Sequence, residues 1–150
     1  QQGFEKGLKK YPGIKYLGTQ FCDDDPTKAA SIASATLRSN PDLKGIFGAN
    51  LFSAEGSASG VRQSGKGQQV KIVGFDAGPT QVKDLKDKTV DALIAQHPAQ
   101  IGQTGVQMAV EYLKTKKKPK KKEIQTGLTI VTRSNISDPK ISKYLYKAQC

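Results

Sequence analysis

The chain has no tryptophan, a single histidine, a single methionine and two cysteines, and none of its apolar runs approaches the roughly 18 residues that a membrane-crossing helix needs. These scarcities exclude several classes of protein. With His97 alone there is no imidazole pair for a zinc site or a proton relay. Cys22 and Cys150 lie too far apart to share the close spacing of a metal knuckle. No G-x-S-x-G elbow is present. Residues 60–67 (GVRQSGKG) approach a phosphate-binding loop, but Gly67 stands where a magnesium-holding Ser or Thr belongs, and the segment runs from helix to strand rather than strand to helix. No catalytic residue, metal site or cofactor is therefore expected. The start, Gln1 to Lys6, has neither the basic beginning nor the apolar stretch of a secretory signal.

Charge is abundant but local. The net charge is +11, yet seven of the nine residues from Lys114 to Lys122 are lysine, which leaves 17 basic against 13 acidic residues, or +4, elsewhere. The run holds no arginine for bidentate phosphate contacts and no aromatic for base stacking. A solvated loop or helix end is the expectation, with no nucleic-acid partner.

Strand and helix signals alternate along the chain. Phe4, Leu8 and Tyr11 fall at helical spacing with no cap or strand before them, so the chain reads as cut inside a unit. Ile14 to Phe21 reads as a strand that runs into the acidic turn of Asp23, Asp24 and Asp25. Asp25 followed by Pro26 is a helix start, because Asp accepts from the first free amides and Pro has none to waste. The helix runs to about Asn40. Strands follow at 45–49, 70–75, 90–95 and 128–132, with helices at 53–64, 79–86 and 98–116; Ile101, Val106, Met108, Val110 and Leu113 form the apolar side of the last. This order implies an α/β three-layer sandwich around a mostly parallel sheet.

Ligands of such sheets bind beyond the carboxyl ends of the strands. Those ends carry Cys22 and Asp23, Asn50, Asp76, and Gln96 with His97. Amides and a carboxylate gathered on one rim suit a small polyhydroxylated ligand, and helix capping is the competing role for each. Asp23 and His97 read as rim residues, His97 equally as a packing residue. Cys22 and Cys150 either stay reduced or form one long-range bridge, which would imply an oxidising compartment.

The stretches GFEKGLKKYPGIK, NPDLKGIFGAN, VKIVGFDAGPTQVKDLKDKTVDALIAQHPAQIG and TGLTIVTRSNI resemble, in order and spacing, the carboxyl-terminal part of the ribose-type periplasmic sugar-binding proteins, the solute receptors of ABC importers. The resemblance implies one lobe of a type I periplasmic binding protein, with the first strand of the lobe absent. Residues 1–126 would be the sugar-binding lobe, 127–133 a strand crossing the hinge, and 134–150 a tail packed on the hinge or on the missing amino-terminal lobe. It also implies Asn50, Asp76 and Gln96 as ligand-binding residues, a monosaccharide-type ligand, an ABC permease as partner and an extracytoplasmic location. Family members have Asp after the Asn of the second strand end; here Leu51 stands there. The effector-binding core of a lactose-repressor-type regulator shares the architecture and is the alternative.

Overall fold

The structure is a computed structural model that describes residues 1–67 and 69–147. Its centre is a four-stranded sheet of β1 (Gly45–Gly48), β2 (Lys71–Phe75), β3 (Ala92–Gln96) and β4 (Leu128–Val131), in that spatial order. β1, β2 and β3 are parallel, and β4 returns antiparallel to β3. The helices are α1 (Gln2–Leu8), α2 (Pro26–Ser39), α3 (Leu51–Gln63), α4 (Pro79–Lys86), α5 (Pro98–Thr115) and α6 (Pro139–Ser142). The expected α/β alternation with a mostly parallel sheet is what forms.

Alternation along the strands assigns the two faces. Ile72 and Gly74, Leu93 and Ala95, and Val131 share one face and are buried beneath α3 and α4. With Leu37, Val61, Val70, Leu85 and Val90 they make the core. α2 lies against α3 and buries Ala29, Ala33 and Leu37, one residue per turn. The two helices approach closely because α3 offers Gly56 and Gly60: a side chain at Gly56 would collide with the Pro26 carbonyl, one at Gly60 with that of Ala30. The opposite face is barely covered. Phe47 there meets Phe4 of α1 in a stack with centroids 4.9 Å apart, while Val73 and Ile94 are half-buried and Ile130 is exposed.

One expectation needs correction. Ile14 to Phe21 takes no regular secondary structure and joins no ladder, and Ile14, Tyr16, Leu17 and Phe21 are exposed. A strand persists only when its amides and carbonyls find a partner, and here a cleft of about 510 Å³, lined by both this stretch and β1, lies open. The helix α5 forms where expected and buries none of its residues; Ile101, Val106, Val110 and Leu113 are exposed. The tail from Ser134 to Lys147 makes contacts within this chain. Ile136 enters the core, Ile141, Tyr144 and Leu145 pack against it, and the Tyr146 amide donates to the Ala77 carbonyl at 3.0 Å. Apolar residues at 136, 141 and 145 supply the reason, since burying them here removes more apolar surface from water than a solvated tail would. The lysine run after α5 is an exposed, irregular loop that begins with Lys116 in the left-handed conformation.

Candidate functional site

Asn50, Asp76 and Gln96 come together at the carboxyl ends of the three parallel strands. β1 delivers Asn50 as the N-cap of α3. Its Oδ1 accepts from the Ser53 amide at 2.8 Å, and Ser53 Oγ accepts from the Asn50 amide at 3.0 Å. This reciprocal box caps the helix with no part for the side chain of Leu51. Leu51 contributes its backbone instead, donating to Asp76 Oδ2 at 3.1 Å.

Asp76 follows β2 directly, with its amide bonded to the Ile94 carbonyl and its φ at 76°. A non-glycine residue rarely adopts that angle, and Asp tolerates it better than most. Gln81 fixes the turn from below: fully buried, it accepts from the Gly78 amide at 2.9 Å and donates to the Phe75 carbonyl at 2.7 Å. Gln96, the last residue of β3, donates to Asp76 Oδ1 at 2.7 Å.

The rim differs in detail from the expectation. Asp23 pairs with Lys28, and Asp25 caps α2 through the amides of Thr27 and Lys28. The middle member, Asp24, reaches the site and accepts from Asn50 Nδ2 at 2.6 Å. His97 is a packing residue. Its ring stacks on Tyr144 with centroids 3.7 Å apart, and its Nε2 meets Thr129 Oγ1 at 2.8 Å. Tyr146, which the sequence reading passed over, donates from its phenol to Asp76 Oδ1 at 2.8 Å. Burial first, then the Asp76 carboxylate, push its ionisation up to about 12, so the phenol is a donor at any physiological pH. A Tyr or Asp facing the site from a distant segment leaves no local pattern; only the acidic triplet 23–25 marked Asp24.

Cys22 is half-buried and bridges no described residue; the pairing considered for it involves Cys150, which lies outside the described residues. Among the described residues no three His, Cys, Asp or Glu side chains gather as a metal site, and no helix is long and apolar enough to cross a membrane.

Chemically, the cluster offers two carboxylates (Asp24 and Asp76), two carboxamides (Asn50 and Gln96), a phenol and a helix N-terminus on a shared rim. Such groups accept from and donate to ligand hydroxyls without bond chemistry.

Known proteins resemble the chain along most of its length. The family model described as periplasmic binding protein domain matches residues 1–118. The D-allose-binding periplasmic protein of Escherichia coli is 36% identical over 117 residues, which is 78% of this chain and 38% of that protein. The ribose import binding protein of Salmonella typhimurium is 33% identical over 129 residues, 86% of this chain and 43% of that protein. Among solved structures, an ABC transporter solute-binding protein of Agrobacterium vitis bound with α-D-tagatopyranose superposes with a TM-score of 0.90 and 46% identity, covering 97% of this chain and 48% of that one. A second from the same organism, with bound D-fucose, gives 0.86 and 32%, covering 97% and 49%. The chain thus spans less than half the length of the relatives it matches, and these are sugar-binding transport receptors rather than enzymes. By the match to more than two thirds of its residues and by its α/β lobe, the chain belongs to the periplasmic binding protein family.

Proposed function

We propose that the chain acts as the carboxyl-terminal lobe of an extracytoplasmic receptor that passes a monosaccharide-type ligand to an ABC permease. The observation that carries the reading is the convergence of Asn50, Asp76 and Gln96 on one rim, joined through Asp76 and the α3 N-terminus. In this reading Asp76 accepts a ligand hydroxyl, the free N–H groups of Asn50 and Gln96 donate, and an amino-terminal lobe closes over the ligand from the other side. Closure expels water from these polar groups, strengthens their bonds and creates the two-lobed surface that a permease recognises. The poorly covered face of the sheet and the coverage of less than half of each relative support a partner lobe.

In this reading one lobe offers only part of the ligand's contacts, so the 150-residue chain should bind sugars weakly, with a Kd on the order of 1 mM. Backbone and side-chain amide NMR with D-ribose, D-allose, D-tagatose and D-fucose checks this. Shifts centred on residues 50–51, 76–77 and 96 are expected; shifts confined to any other surface overturn the assignment, and micromolar binding overturns the half-site argument.

A further inference from the structure

The ligand-accepting carboxylate is already occupied by the chain's own tail. An ionised carboxylate has about four lone-pair positions. Asp76 Oδ1 receives two donors, Gln96 Nε2 at 2.7 Å and the Tyr146 phenol at 2.8 Å, while Oδ2 receives the Leu51 amide at 3.1 Å. One position is left, so a pair of neighbouring ligand hydroxyls cannot both reach Asp76 while Tyr146 is in place.

Tyr146 differs from the other two donors. Gln96 belongs to β3 and Leu51 N to α3, both parts of the frame, and together they hold Asp76 whether or not the phenol is present. Tyr146 instead belongs to a tail segment held independently of its phenol: Ile136 in the core, Leu145 packed against it, Tyr144 stacked on His97, and the Tyr146 amide on the Ala77 carbonyl. Its side chain is half-buried, so it can rotate away without unfolding the tail. What it donates to Asp76 is a hydroxyl, the same group that a sugar would bring.

We propose that Tyr146 is an intramolecular placeholder for a ligand hydroxyl, a latch that satisfies Asp76 in the empty lobe and is displaced when a polyhydroxylated ligand binds. The proposal rests on the sugar-binding reading of the site. It assigns the tail a function in tuning affinity: every ligand must replace the phenol, so the latch weakens binding and favours ligands able to offer two adjacent hydroxyls to Asp76.

Tyrosine labelled with ¹³C at Cζ, in the wild-type chain and in Tyr146→Phe, tests this with D-ribose, D-allose and D-tagatose as probes. Phe keeps the ring and its packing and removes only the donor. In the wild type, sugar should move the Tyr146 resonance together with the side-chain amides of Asn50 and Gln96. Tyr146→Phe should bind the same sugar about tenfold more tightly, near the lower end of what a hydrogen bond to a charged group contributes. If sugar shifts Asn50 and Gln96 but leaves Tyr146 unmoved, or if Tyr146→Phe binds no tighter, the latch is wrong and the sugar site stands. If no sugar perturbs any of the three residues in either protein, the sugar site and the latch fail together.

Discussion

Asp91 shows how one carboxylate ties three segments together. It begins the β-strand approach after Val90, its Oδ2 accepts from the Ile72 amide at 3.0 Å, and its Oδ1 meets Lys71 Nζ at 3.1 Å and Arg133 Nη2 at 3.4 Å. Arg133 in turn donates to the Val90 and Leu85 carbonyls, which pins the end of β4 to the base of the sheet. Burial alone would push the Asp91 carboxyl up, but the Ile72 amide, Lys71 and Arg133 outweigh it and hold the group below its usual range. A lowered folded-state value means that the stabilisation is present above the unfolded value of about 3.9 and is lost as pH falls through the folded one. Lys71 is largely exposed and adds little by itself. Asp91→Asn should therefore cost about 1.5 to 3 kcal/mol at neutral pH, seen as a lower thermal midpoint. The gap to wild type should close in acid; a gap that persists unchanged at low pH would contradict the ionic origin. At this scale the sequence was legible where cause and effect are neighbours. Asp25 caps α2 through amides two and three residues away, and Asn50 caps α3 in the same manner. It was not legible for Tyr146, seventy positions from Asp76, nor for which of Asp23 and Asp24 would face the site, since both have positive φ and the turn alone decides where each points.

Helices declare themselves through periodicity and caps, but whether they find a surface to cover is a tertiary matter. α2 and α5 illustrate the difference. Both start with Pro in the first turn and both carry an apolar side, yet α2 buries three residues against α3 and α5 buries none. The α2–α3 contact depends on the absent side chains of Gly56 and Gly60. Gly60→Val would force a branched side chain against the Ala30 carbonyl and Ala33, and overpacking of this kind costs about 1 to 3 kcal/mol. Ser34, whose hydroxyl donates to the Gly60 carbonyl at 3.3 Å, would lose that bond as the helices part. Urea unfolding should show the loss directly, whereas Gly102→Ala in α5, where a side chain meets nothing, should leave stability equal or raise it. Equal effects at the two sites would mean that α2 and α3 are not packed as described. The stretch from Ile14 to Phe21 makes the same point for strands. Its β-prone residues were readable, but a strand is a relation between two segments, and this stretch lies along a cleft beside the free edge of β1 without pairing with it.

For the whole molecule, the uneven distribution of apolar surface has a physical consequence. One face of the sheet is sealed by α3 and α4, while the other leaves Ile130 more than half exposed, as are Val106 and Leu113 of α5, with the free edge of β1 and the cleft beside it also open. Exposed apolar side chains and an unpaired strand edge favour association. The net charge of +11 opposes it, but much of that charge sits on the lysine loop, outside the sheet, and salt screens it beyond about 8 Å at physiological ionic strength. The 150-residue chain should therefore bind an apolar dye in its folded state and associate increasingly with concentration and with salt. Val106→Glu with Leu113→Glu should reduce both effects and leave far-UV dichroism and the thermal midpoint nearly unchanged, because neither side chain is buried. Sedimentation velocity at two salt concentrations decides the matter. A monomer at high salt and high protein concentration, with no dye binding, would show that this face is closed in solution. Loss of folding in the double Glu variant would show instead that α5 packs its apolar side onto the sheet.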